Sequence, residues 1–130
     1  MGENLELVRE AFEAFRHGGL EATLKFADPE IACVRAPPLP DPQTYHGIDG
    51  LRQMYADWTA DFEEFEMEPL DFIERGDRVF VEMLQRGTGR ASGVTVEGRY
   101  CLAFTIAGGK VTHQDAYLTR DQAMAASPPP

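Results

Sequence analysis

Val94-Thr95-Val96-Glu97-Gly98-Arg99-Tyr100-Cys101-Leu102-Ala103-Phe104-Thr105-Ile106, Ala107-Gly108-Gly109, Lys110-Val111-Thr112-His113-Gln114-Asp115-Ala116-Tyr117-Leu118 is the stretch whose reading decides the fold. Two runs with a period of two flank a Gly-Gly turn, which is the pattern of an antiparallel hairpin. Further runs at Phe65 to Glu74 and Arg78 to Arg86, separated by Gly76-Asp77 and by Gly87 to Gly93, extend it to a four-stranded meander. These strands exceed the usual five or six residues, so the sheet must coil and bend, with Pro69 and the glycines as bulge positions.

Ahead of the meander the period changes. Leu5, Val8, Phe12 and Phe15 fall on one helical face, with Asn4 as a cap and Gly18-Gly19 as a stop. A second helix is expected from Leu20 to Ala27, ended by Asp28-Pro29, and Ile31 to Arg35 reads as a strand. Pro37-Pro38-Leu39-Pro40-Asp41-Pro42 must be an exposed loop, because proline lacks the amide that helices and inner strands require. Ile48, Leu51, Tyr55, Trp58 and Phe62 form the buried stripe of a third helix. Thr119 caps a last helical turn through Met124, and residues 127–130 read as a disordered tail behind a single domain of residues 1–126.

The sequence of 130 residues, 43% hydrophobic and 26% charged, suits one compact α+β domain with one core. A net charge of -10 opposes nucleic acid and anionic membranes as partners, and no apolar run approaches the length of a membrane span. Two cysteines and an opening Met1-Gly2-Glu3-Asn4 without a basic, apolar leader pattern point to a reducing cytoplasm.

Val8 to Phe15 followed by Gly18-Gly19-Leu20, Tyr45-His46-Gly47-Ile48-Asp49-Gly50-Leu51-Arg52, and Gly108-Gly109-Lys110-Val111 before a closing strand together resemble the SnoaL-like members of the NTF2-like superfamily. The resemblance spans nearly the whole chain. It implies a cone-shaped fold, a strongly curved, mainly antiparallel sheet wrapped over three N-terminal helices, and a homodimer. It carries no chemistry over, because fold does not imply function. Ketosteroid isomerases of this fold use a carboxylate base with a tyrosine and a protonated aspartic acid. Matched onto this sequence, the tyrosine falls at Ala11, the base near Arg35 and the acid near Leu102, while Tyr55 matches a supporting tyrosine. The Asp-Arg-Asp set of related epoxide hydrolases falls at Gln85, Met83 and Ala116.

The residues themselves offer a few candidates. His113 and Asp115 share a strand face, where a carboxylate could orient an imidazole base; the resemblance instead turns Thr112, Gln114, Ala116 and Leu118 toward the pocket and places His113, Asp115 and Tyr117 outside. Arg35 has the planar fork to hold a carboxylate, enolate or phenolate, the alternative being a surface ion pair. Tyr55, Trp58, Met83, Gln85, Tyr100 and Leu102 read as the lining of a largely apolar pocket with few polar points, to which the resemblance adds Gln114, against a solid core. Cys33 and Cys101 read as inert buried thiols, Gly87-Thr88-Gly89-Arg90 as a hairpin and not a phosphate loop, and the acidic run from Asp57 to Glu68 as a solvated face. The dispersed histidines suggest no metal site. The expectation is a cofactor-free domain that binds a small apolar or aromatic molecule, with proton transfer (cyclisation, isomerisation or dehydration) as the chemistry if it is an enzyme, or else a non-catalytic dimerisation or protein-interaction module.

Overall fold

The computed structural model describes residues 2–126; the tail expected at residues 127–130 lies outside the described residues. Helix α1 (Glu3–Gly18) ends at Gly19, whose φ of 70° suits a residue without a Cβ. Asn4 does not cap it. Gly2 holds that position, and the Asn4 amide donates to the Gly76 carbonyl in the first turn of the meander. The second helix is a 3-10 helix, Leu20–Phe26, and strand β1 (Ala27–Arg35) starts earlier than expected, with Asp28 and Pro29 inside it. Proline is tolerated there because the β1–β6 register breaks between Ala27 and Ala32, where no ladder amide is needed.

The proline loop is exposed as expected apart from Leu39, which is buried. It leads into an edge strand that the sequence reading did not contain, β2 (Gln43–His46), and then into α2 (Gly47–Thr59). Phe62 leaves the helical stripe to which it was assigned: it opens β3 (Phe62–Arg75) and lies across Gly87, where any Cβ would run into its ring. Strands β4 (Arg78–Gly89), β5 (Thr95–Ala107) and β6 (Lys110–Tyr117) follow, then α3 (Arg120–Ala125), capped by the Thr119 hydroxyl accepting from the Gln122 amide.

The strand order is β2-β1-β6-β5-β4-β3, with β1 parallel to β6 and every other pair antiparallel. Register shifts at Pro69/Asp71 and Thr105/Ile106 are the bulges that bend the long strands. The curved sheet then has two unlike faces. Its concave face, with Ile31, Cys33, Val79, Val81, Met83, Tyr100, Leu102 and Phe104, packs the main core against Val8, Leu51 and Met54 of the helices. On the convex face Phe80, Cys101 and Ala103 are covered by Ala123 of α3.

Candidate functional site

A partly enclosed cavity of about 110 Å3 lies between the helices and the concave face. Its walls come from α1 (Ala11, Phe12, Phe15), the 3-10 helix (Leu20, Thr23), α2 (Leu51, Met54, Tyr55, Trp58), β3 (Met67), β5 (Tyr100, Leu102, Phe104) and β6 (Gln114). It is smaller than the engineered cavity of roughly 150 Å3 that admits benzene, and well below the usual range for drug-sized ligands. Two thioether side chains in the wall, Met54 and Met67, are the adaptable part of that boundary.

Polar atoms are few. Tyr55 contacts Phe15 edge-on, with ring centroids 5.8 Å apart, and burial raises its hydroxyl above the ordinary tyrosine value. The Tyr100 hydroxyl donates to the Met67 sulfur at 3.2 Å and is raised further, by burial first and by Tyr55 second. Both phenols are therefore donors at neutral pH. Gln114 reaches the cavity from β6, on the same face as its register partner Phe104. The described lining holds no carboxylate, imidazole or thiol.

Trp58 is the hinge of the site. Its indole N–H donates to Gln85 Oε1 at 2.6 Å, and its ring lies 4.9 Å from that of Tyr100. The Arg35 guanidinium stacks on the same indole, 4.7 Å from the ring centroid. Arg35 is only 7% exposed, so it is no surface residue. Among the described residues no carboxylate lies within ion-pair distance of it. One terminal nitrogen donates to the Pro40 carbonyl at 3.2 Å, and its buried Nε has no acceptor. Beyond it, the Tyr45 hydroxyl donates to Asp57 at 2.7 Å and is pushed up to about 12, chiefly by burial. The Asp57 carboxyl is lowered, first by the bonds from Tyr45 and Gln53 and to a lesser degree by Arg35.

Of the expected lining residues, Tyr55, Trp58, Tyr100, Leu102 and Gln114 surround the cavity, and Arg35, Met83 and Gln85 do not. Met83 is wholly buried between Pro69 and Tyr100 in the sheet, while Gln85 is occupied in bracing Trp58. Ala11, Phe12, Thr23, Met54 and Met67 line the cavity without having been named for it. Phe12 had a signal in the sequence, the helical stripe it shares with Phe15; the other four had no such signal.

His113 and Asp115 point to the convex face, as the resemblance implied. They do not form a dyad: His113 Nδ1 lies 3.1 Å from the Thr112 hydroxyl, and Asp115 Oδ1 is buried with no partner. The Asp115 carboxyl is raised by burial, against the pull of His113 and Arg78. Cys33 and Cys101 are free, buried and pushed up by desolvation to about 12 and about 11, so neither is a thiolate at neutral pH. Gly89 closes a hairpin with Val94 and Gly93, and no acid, histidine or cysteine cluster of metal-binding size occurs among the described residues. No helix of the described chain is long and apolar enough to cross a membrane.

A family model described as a SnoaL-like domain matches residues 8–114. An NTF2-like protein of unknown function from Burkholderia pseudomallei superposes with a TM-score of 0.77 at 22% identity, over 95% of this chain and 96% of its own. TerC, crystallised with polyporic acid, superposes at 0.76 with 22% identity over 94% and 95% of the two chains. A protein from a Jannaschia species, described as a SnoaL-like polyketide cyclase, does so at 0.75 with 21% identity over 98% and 94%. No curated protein matches by sequence. At these identities the structural likeness speaks for the fold.

Proposed function

Because this chain belongs to the SnoaL-like family, whose shared fold fixes a container and not a reaction, we propose that it binds a small apolar or aromatic molecule inside the cone. The observation that carries the reading is the aromatic cavity between α1, α2 and β5, with Tyr55, Tyr100 and Gln114 as its polar points and Trp58, Leu102 as its walls. A core without a void of some hundreds of cubic ångströms is the expected mark of a pure interaction module, and at about 110 Å3 this void stays below that size, so the binding reading rests on the character of the lining and not on its volume. TerC, a chain of this fold, was co-crystallised with polyporic acid, which supports a small-molecule occupant.

The chemistry that suits this lining is cofactor-free hydrogen-bond donation by the two protonated tyrosines, as in isomerisation, cyclisation or dehydration. The base such a reaction needs is absent from the wall, so the reading commits to binding first. The homodimer that the family resemblance implies is placed by this reading on the convex face that carries His113 and Tyr117, and the unpaired thiols of Cys33 and Cys101 favour the reducing cytoplasm. Thermal-shift screening of aromatic and alicyclic compounds tests the reading: binders raise the melting temperature of the wild type and not of a variant with its cavity filled. A panel without a single binder would remove it, and sedimentation showing only monomer at high concentration would remove the dimer.

A further inference from the structure

We infer that Arg35 is an anion-holding subsite, and that the molecule taken by the cone is a planar aromatic acid whose charged oxygen sits against this guanidinium while its ring lies against Trp58. The inference rests on the cavity reading above and names its ligand class. A guanidinium offers five N–H donors and no acceptor. Arg35 is more than nine-tenths buried, yet its one hydrogen bond goes to a neutral carbonyl, that of Pro40, and its Nε meets nothing. Buried cations are ordinarily paired, because desolvation is costly without a counter-charge. In a chain with 22 acidic residues against 12 basic ones, a counter-ion would be easily supplied by the protein itself.

The surroundings are arranged to leave Arg35 free. Asp57, a carboxylate within its electrostatic reach, is turned to Tyr45 and Gln53, which occupy its two oxygens. The indole of Trp58 is shared: it lines the cavity and it carries the guanidinium at 4.7 Å. A ring stacked in the cavity would thus stand one side chain away from a positive charge. The cavity is smaller than the roughly 150 Å3 one that admits benzene, so a larger aromatic occupant must reach beyond it, and Arg35 supplies an electrostatic reason to reach past Trp58. A carboxylate or an acidic enol bound there gains charge-assisted, two-pronged hydrogen bonds that a neutral group forgoes.

Trp58 is the chain's one tryptophan, so its fluorescence reports directly on the site. The test titrates the full-length protein with 1-naphthoate and benzoate, each beside its neutral carboxamide, at pH 7 and low salt. The expected result is about tenfold tighter binding of each acid than of its amide, a preference that shrinks to within about twofold in Arg35→Met while the amide affinity is kept. Arg35→Lys, which keeps the charge and loses the fork, is expected to fall between. Equal binding of acid and amide to the wild type would overturn the inference and leave the cavity reading standing. Failure of all four compounds to bind would take both down. Should Arg35→Met fail to fold, the wild-type acid-to-amide ratio and the Arg35→Lys variant decide the matter.

Discussion

Two arginines are buried among the described residues, one under each face of the sheet, and they are dressed alike. Arg35 on the concave side stacks 4.7 Å from the Trp58 centroid, and Arg78 on the convex side stacks 4.9 Å from that of Phe80. Each donates to a backbone carbonyl, Pro40 and Ala126 respectively, and each keeps buried nitrogens without an acceptor, Nε in Arg35 and both Nε and one terminal nitrogen in Arg78. The difference is in the company. Arg78 stands near Asp115 and Tyr117, and its charge pulls both of them down against burial. Arg35 has no such buried acid and is separated from the cavity by the Trp58 indole on which it stacks. A cation with a buried acid in its field belongs to the fold, whereas one without such an acid, behind a cavity wall, is available to a ligand.

The largest effect that tests this contrast is on stability. Arg78→Met strands the buried Asp115 and is expected to lower the unfolding free energy by about 2–4 kcal/mol, whereas Arg35→Met removes an unpaired charge and should stay within about 1 kcal/mol of wild type. Urea denaturation followed by circular dichroism reads both; equal losses would erase the distinction. Next comes Ala11→Phe, which puts a ring into the cavity. It is expected to abolish the Trp58 fluorescence response to ligands, at a cost of about 1–3 kcal/mol from overpacking.

A third, smaller effect separates the faces by pH. The Asp115 carboxyl is raised above its ordinary 3.8 in the folded protein, so between these two values the folded chain holds a proton that the unfolded chain has lost. Stability from this group therefore falls as pH rises through that window. Asp115→Asn lacks the titration, and its stability relative to wild type should rise over the same window and level off above it; a flat difference from pH 3 to 7 would contradict the assignment. The smallest effect is that of His113→Gln, expected within about 0.5 kcal/mol and without change in ligand affinity. A large loss of binding in that variant would move the site to the convex face.

How far the residues could be read in advance differs between these faces for the same reason. Period-two alternation placed Tyr100, Leu102 and Phe104 on one side of a strand, and that side is the concave wall. The same alternation put His113 and Asp115 together and nothing in it could say whether they touch. Arg35 was visible as a lone cation at a strand end, but a surface ion pair and a buried free guanidinium look identical in sequence. Met83 and Gln85 share the inward parity of the wall and still miss the cavity, because Met83 is sealed within the sheet and Trp58 takes the Gln85 oxygen.

What the amino-acid order determined by itself was local: helical and strand periods, glycine turns at Gly76 and Gly108-Gly109, the Thr119 cap, and the bend near Pro69. These follow from backbone sterics and from the burial of one face per element, interactions that reach only a few residues along the chain. Tertiary structure alone decided the size of the void and the isolation of Arg35. Both depend on side chains distant in sequence arriving from α1, α2, β1 and β5 at one place, and volume and charge pairing are properties of that meeting.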